Sequence, residues 1–184
     1  MIKSLLGLLA LFLVALPFGH ADQNDKELDA LFDTLLNVDT TPSQARVVTS
    51  EIWQQWLRTD SDEAQQMMSL GIELMNRYAL DDAVRVFSAL IEIEPDFAEA
   101  WNKRATVYYM MGKFDLSTAD VAETVRLEPR HFGALSGQGL IYLKTNRREA
   151  AVEWFKKALK VNPFMENIRS SVEQIEQEIK ANVI

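Results

Sequence analysis

The sequence has 184 residues, 48% of them hydrophobic and 25% charged, a balance typical of one globular or repeat domain. It contains no cysteine, which excludes disulfides, thiolate metal sites and cysteine nucleophiles. The formal net charge is -8 and no basic run is interleaved with aromatic residues, which argues against nucleic acid as a partner.

The first 21 residues have the pattern of a secretory signal peptide. Lys3 provides a basic start, residues 5–16 are an apolar run, and the small residues Gly19 and Ala21 precede the expected cleavage site. The run is too short to span a bilayer, which takes about 20 apolar residues. We therefore expect cleavage after Ala21 and a periplasmic or secreted protein without a membrane span. The alternative is an assembly factor anchored in the inner membrane by an uncleaved N-terminus.

Residues 22–63 predict two amphipathic capping helices. The second begins at "TPSQ", residues 41–44, where a threonine cap, a proline at the first helical position and a glutamine at the third form a capping box. The apolar residues are Leu28, Leu31, Phe32, Leu35 and Leu36 in the first helix and Ile52, Trp53, Trp56 and Leu57 in the second. We expect this hairpin to cover the outer face of the unit that follows it.

Residues 64–165 contain three repeats of 34 residues. Pro95, Pro129 and Pro163 recur at this period and divide the segment into 64–97, 98–131 and 132–165. One column of the alignment holds only small residues, namely Gly71, Ala105 and Gly139. Each repeat predicts two antiparallel helices of about 14 residues that pack closely at the small residues and end before the proline. Stacking is required because a single hairpin cannot bury its apolar face.

Residues 166–184 predict one closing helix. Its apolar residues Ile168, Val172, Ile175 and Ile179 recur at helical spacing, and its other side is polar. A polar outer side is what a terminal cap of a repeat array requires.

The repeats resemble the tetratricopeptide repeat family. "WNKRATVY" at residues 101–108 has the family's tryptophan, small residue and tyrosine, and "AVEWF" at residues 151–155 has its alanine and phenylalanine. With the leader, the chain resembles small exported bacterial members of this family. The resemblance implies an all-α, right-handed solenoid of three helical hairpins between N- and C-terminal capping helices, with no enzymatic activity. Arg104 and Gln138 stand where the family usually has leucine, and we expect them to loosen the packing.

The sequence offers no recognisable catalytic, metal or cofactor site. After the leader one histidine remains, His131, and no nucleophile or orienting acid is marked beside it, so we interpret it as a turn or groove-rim residue. Gly137 and Gly139 lie inside a predicted helix, whereas a dinucleotide-binding glycine motif must follow a strand. We therefore predict no metal and no cofactor.

The resemblance also implies a partner-binding groove along the first helix of each hairpin. The candidate residues are Met68, Ile72, Glu99, Asn102, Lys103, Thr106, Tyr109, Gly133, Ser136, Gly137 and Leu140. Of the positions that form a carboxylate clamp in chaperone-binding family members, only Lys103 could serve here, so that clamp is absent. We expect Gly133 and Gly137, four residues apart on one helix face, to leave the groove floor bare for a partner.

These features predict a scaffold that binds a protein or peptide partner in the bacterial cell envelope. The alternative without a separate partner is a structural subunit that forms a homodimer and hides its groove.

Overall fold

The computed structural model describes residues 26–181 of the chain. These residues form helices joined by short turns, with no strand among them. The leader predicted at residues 1–21 lies outside the described residues. Within the described range, no helix combines the length and the apolar character needed to cross a membrane. The helices are α1 Lys26–Leu36, α2 Pro42–Trp56, α3 Asp62–Asn76, α4 Leu80–Ile93, α5 Ala98–Met110, α6 Phe114–Leu127, α7 Phe132–Lys144, α8 Arg148–Val161 and α9 Glu166–Ala181.

The predicted all-α repeat fold is confirmed. Helices α3 and α4, α5 and α6, and α7 and α8 pack as three successive hairpins, and α9 packs on α8. A small residue of the first helix faces a large one of the second: a Cβ at Gly71 would overlap the ring of Phe87, and a Cβ at Gly139 would overlap the ring of Phe155. Both rings are fully buried. The small column of the sequence is therefore where the two helices of a hairpin touch.

Each hairpin turns through one residue with a positive φ. These residues are Tyr78 with φ of 60°, Gly112 with 72° and Asn146 with 55°. They recur at the 34-residue period, so the turn geometry repeats along with the helices. Glycine reaches this left-handed region without steric cost, and asparagine tolerates it better than most residues.

Arg104 does not loosen the packing, and that expectation is wrong. Its Nε and Nη2 groups each donate to one carboxylate oxygen of Asp120 at 2.8 Å, and its Nη1 donates to the Ser88 hydroxyl at 3.0 Å. The bidentate hydrogen bond to Asp120 raises the pKa of Arg104. Since the three residues lie on α5, α6 and α4, the guanidinium joins three helices of two hairpins. Likewise, the buried Gln138 amide donates to Thr118 at 3.3 Å.

The hairpin α1–α2 does not cover the outer face of the first repeat, and that prediction is also wrong. The capping box at Thr41 is present as predicted. The apolar side of the hairpin, however, packs with Phe132 at the start of α7 and with Val161, Phe164 and Met165 around the end of α8. The physical reason is aromatic packing. Phe32 of α1 and Trp53 of α2 pack against the Phe132 ring of α7, and Trp53 also fills the space above Gly133. At the other end α9 buries Ile168, Val172 and Ile175 against the third hairpin, as expected.

Candidate functional site

The first helices of the three hairpins, α3, α5 and α7, lie side by side and form one face of the repeat array, which we call the inner face. Between α5 and α7 this face opens into a cavity of about 170 Å³, which we call the open groove. Its floor reaches Ser117 and Val121 of α6. Its walls are Asn102, Ala105, Thr106 and Tyr109 of α5 and Gly133, Ala134, Ser136, Gly137 and Leu140 of α7.

Gly137 keeps the open groove wide. A Cβ built at this position would meet no atom within 4 Å, so the space above the backbone is free. Leu140 is 40% exposed one turn further along α7. Tyr109, whose ring packs on Phe114, faces it from α5, and burial raises the pKa of the Tyr109 phenol. The groove thus combines an apolar rim with a stretch of accessible helix backbone.

The polar lining of the open groove is mostly held by the chain itself. The Thr106 hydroxyl donates to the Asn102 carbonyl at 2.9 Å, and the Ser136 hydroxyl donates to the Gly133 carbonyl at 3.0 Å. Their oxygens keep lone pairs that can accept further hydrogen bonds. Within residues 26–181 no group of three or more potential ligand side chains could hold a metal ion. The lining of the open groove can therefore make van der Waals contacts with a ligand and accept hydrogen bonds from it.

A buried carboxylate lies beside the groove, at the start of α5. His131 caps α7, since its Nδ1 accepts from the Ala134 amide at 3.0 Å. Because Nδ1 is an acceptor, Nε2 carries the proton and donates to Glu99 Oε2 at 2.8 Å. The Lys103 ammonium forms an ion pair with Glu99 Oε1 at 2.9 Å, and the Asn102 amide donates to Oε2 at 2.9 Å.

The surroundings of Glu99 keep its carboxylate ionised. Burial alone would raise the pKa of this fully buried group. The hydrogen bond from His131 and the charge of Lys103 outweigh burial, so the pKa of Glu99 lies below its ordinary value of 4.5. Glu99 is therefore an internal counter-ion and not a surface for a partner.

This lowered pKa predicts how Glu99 contributes to acid stability. A carboxyl group with a lower pKa in the folded state stabilises it above the unfolded pKa, and that contribution is lost as the pH falls through the folded pKa. We expect the free energy of unfolding of Glu99→Gln to change less steeply below about pH 4.5 than that of the wild type. Urea unfolding at a series of pH values measures this slope. The exposed Glu153→Gln is the matched control, and equal slopes for Glu99→Gln and the wild type would contradict the prediction.

The structure brings seven of the eleven candidate residues together in the open groove. They are Asn102, Thr106, Tyr109, Gly133, Ser136, Gly137 and Leu140. Met68 was wrongly placed there, because its side chain is 1% exposed and packs in the core with Phe87 and Leu90. Ile72 is half-buried on α3, packs on that same core and does not line the groove.

Three candidates are engaged by the chain itself. Glu99 is fully buried, and Lys103 is paired with it and has its ammonium 5.5 Å from the centroid of the Trp53 ring. Gly133 lines the open groove, but a Cβ there would overlap the end of the Trp53 ring. The bare backbone at Gly133 therefore makes room for α2, which corrects its expected role as floor for a partner.

Sequence reasoning missed the tryptophans of α2 as part of the inner face. Trp53 and Trp56 were assigned to a cap over the first repeat, and His131 to a turn or to the rim of the groove. The sequence did contain a signal for this contact. Trp53 and Trp56 lie one helical turn apart, and Gly133 leaves space for a ring at a groove position of the third repeat.

Comparison with known proteins identifies the repeat. Residues 102–166 match the family model of the tetratricopeptide repeat. A TPR repeat-containing protein of Rhizobium etli is 27% identical over 164 residues, which are 89% of this chain and 80% of that protein. These matches support a tetratricopeptide repeat protein. The alignment with the Rhizobium etli protein covers 164 residues and therefore extends beyond the three repeats predicted at residues 64–165.

Solved tetratricopeptide repeat structures share the fold. The first TPR of Spaghetti (RPAP3) bound to an HSP90 peptide superposes with a TM-score of 0.62 at 20% identity and covers 66% of this chain and 97% of that one. The Yersinia enterocolitica type III secretion chaperone SycD, in complex with a peptide of the translocator YopD, gives 0.61 at 17% identity over 65% and 96%. At such identities the likeness concerns the fold.

Proposed function

We propose that this tetratricopeptide repeat protein binds a segment of a partner protein in the open groove between α5 and α7 and acts as a scaffold without catalytic activity. The observation that carries the proposal is the free space above Gly137, flanked by the exposed Leu140. Two neighbours of the same fold are described with bound peptides, one from HSP90 and one from YopD, which supports a peptide-binding role.

The lining of the open groove favours an extended or helical partner segment that places a small apolar side chain against it. A partner backbone can come close to α7 because Gly137 has no side chain there. Leu140 and Tyr109 offer apolar area, while the hydroxyl oxygens of Thr106 and Ser136 can accept hydrogen bonds. The described residues that line the groove include no lysine or arginine, and Lys103 beside it is held by Glu99. We therefore do not expect the open groove to recognise a free C-terminal carboxylate.

The test places a larger side chain in the free space. Gly137→Leu keeps the helix, because leucine is a better helix former than glycine, but it projects into the groove. We expect partner binding to weaken at least about tenfold, or about 1.4 kcal/mol. The partner is captured with a photo-crosslinking amino acid in place of Leu140, identified by mass spectrometry, and its affinity is then measured with the purified protein.

Matched variants separate binding from folding. Ala122→Leu adds the same side chain on an exposed position of α6, away from the groove, and should bind normally. Gly139→Leu should instead lower the melting temperature, because Phe155 occupies the space its side chain would need. Normal binding by Gly137→Leu, or equal crosslinking from positions 140 and 122, would overturn the proposal.

We further propose that the protein works in the bacterial cell envelope after export. The support is the pattern of residues 1–21, with its basic start, apolar run and small residues before the cleavage site. N-terminal sequencing of protein from a periplasmic fraction should begin at Asp22. Mature protein that retains Met1, or a chain lacking residues 1–21 that still reaches the periplasm, would contradict it.

A further inference from the structure

The part of the inner face next to the open groove is covered by two tryptophans of α2. The Trp56 ring stacks on the His131 imidazole, with centroids 4.0 Å apart and planes at 12°. Trp53 meets the same imidazole edge-on at 5.5 Å and lies over Gly133, below the Lys103 ammonium. We name the covered surface the aromatic acceptor site and define it by Lys103, His131, Phe132 and Gly133.

The hairpin α1–α2 is attached to this site mainly by side chains. Its two helices pack closely against each other, but in the described part of the chain neither lies closely along a third helix. Polar contacts border the aromatic rings, among them an ion pair between Arg130 and Asp29 at 2.6 Å and a hydrogen bond from the Asn162 amide to Thr49 at 3.3 Å. The rest of the attachment is apolar, because the hairpin shares a buried cluster with Phe132, Val161, Phe164 and Met165. These side-chain contacts are what must separate for the hairpin to leave as a unit.

The connection between α2 and α3 supports the same movement. Residues 57–61 are not helical, and they are held at the solenoid by Thr59, whose hydroxyl donates to the Glu94 carboxylate at 2.8 Å. Leu57 packs on the core of the first two repeats. The hairpin can therefore swing about this connection while the repeats stay folded and the tether stays in place.

The docked state also contains an unfavourable feature. The Trp56 indole N–H is buried and has no hydrogen-bond acceptor among the described residues. Burying a donor without an acceptor opposes docking, because the group loses its hydrogen bond to water. A helix that offers a phenylalanine at this position would stack on His131 without that loss.

We propose that the aromatic acceptor site binds an amphipathic helix of a partner protein that carries two aromatic side chains three residues apart. At rest α2 occupies the site with Trp53 and Trp56, and the partner helix displaces it. This is recognition of a helix in a groove through anchors one turn apart. The site borders the open groove and shares Gly133 with it, but the proposal does not depend on what the open groove binds.

Displacement has a quantitative requirement. A tethered segment competes with an effective concentration on the order of millimolar for a short linker. The apparent affinity of the partner helix is its intrinsic affinity multiplied by the fraction of molecules in which the site is open. Weakening the hold of α2 should therefore raise the apparent affinity for a helix added in solution.

The first experiment uses a labelled synthetic peptide of residues 41–58 as the probe. In the full chain, Trp53→Ala with Trp56→Ala removes the resident rings and leaves the acceptor site intact. We expect fluorescence anisotropy to show at least tenfold tighter peptide binding to this double variant than to the wild type. A peptide with both tryptophans replaced by alanine should not bind.

Two further substitutions locate the binding. Gly133→Leu, added to the double variant, should abolish peptide binding because its side chain takes the space of the Trp53 ring. Gly137→Leu, added to the double variant in its place, should leave peptide binding unchanged, although the same substitution should weaken partner binding in the open groove. Loss of peptide binding with Gly137→Leu but not with Gly133→Leu would overturn the assignment to the acceptor site.

A second measurement uses the wild-type chain and covers the case in which the double variant does not fold. At about 1 mM peptide, close to the effective concentration of the tether, hydrogen exchange of α1 and α2 should speed up while that of α5 to α8 does not. Unchanged exchange of α2 would overturn the proposal. So would a wild-type dimer by sedimentation that the double variant abolishes, because the site would then belong to a second copy of the chain.

Discussion

Phe155→Ala should destabilise the protein by about 3–5 kcal/mol, as removal of a buried phenylalanine ring does in other cores. The ring is fully buried and fills the space above Gly139, where α7 and α8 touch. No neighbouring side chain can fill the gap from the Gly139 side, because glycine has none. Urea unfolding followed by circular dichroism measures the loss.

Tyr108 is the informative comparison for this prediction. It occupies the column of Tyr142 in the repeat alignment, but its side chain is only half-buried, with its ring 5.8 Å from the Arg104 guanidinium. We expect Tyr108→Ala to cost clearly less than Phe155→Ala, because less apolar area leaves water. A loss below about 1 kcal/mol for Phe155→Ala would mean that the ring is not part of the cooperative core.

The features predicted correctly from the sequence are those that depend on neighbours in the chain or on the repeat period. The capping box at Thr41 needs only residues three positions apart. The close approach of the two helices at Gly139, and its counterpart at Gly71, follows from the small-residue column that recurs every 34 residues. In both cases the signal lies within the repeat itself.

The features that could not be predicted join residues with no shared period. Trp56 stacks on His131, and Trp53 lies over Gly133, although about 80 residues separate each pair in the chain. An amphipathic helix must bury its apolar face, but its pattern does not say against which surface. For this reason the sequence did not predict that α2 lies on the inner face, nor that Glu99 is buried and that Gly133 makes room for Trp53.

Arg104 illustrates the same limit within the repeats. A charged residue in a column usually held by leucine suggests a defect when it is considered alone. The structure supplies its partner on the following helix, where Asp120 is 4% exposed and accepts both hydrogen bonds. The repeat has replaced an apolar contact with a mostly buried ion pair that also reaches Ser88 on α4.

Asp120→Ala should therefore destabilise the protein by about 3–5 kcal/mol, because it leaves the Arg104 guanidinium mostly buried without its carboxylate. The side chains are 16% and 6% exposed, so water can replace little of the lost interaction. Replacing both partners by leucine should recover most of the loss, since an apolar pair of similar volume is often as stable as a buried ion pair. A double-mutant cycle of Asp120→Leu and Arg104→Leu, with unfolding in urea, measures the coupling.

The exposed pair of Arg126 and Glu123 provides the control for this cycle. Its nitrogen and oxygen atoms are 2.8 Å apart, as close as those of Arg104 and Asp120, but the side chains are 60% and 40% exposed. Glu123→Ala should cost less than about 1 kcal/mol, because water and salt screen such a pair. If Asp120→Ala cost no more than Glu123→Ala, the ion pair would not contribute to the packing of α4, α5 and α6, and Arg104 would be the defect that its column suggested.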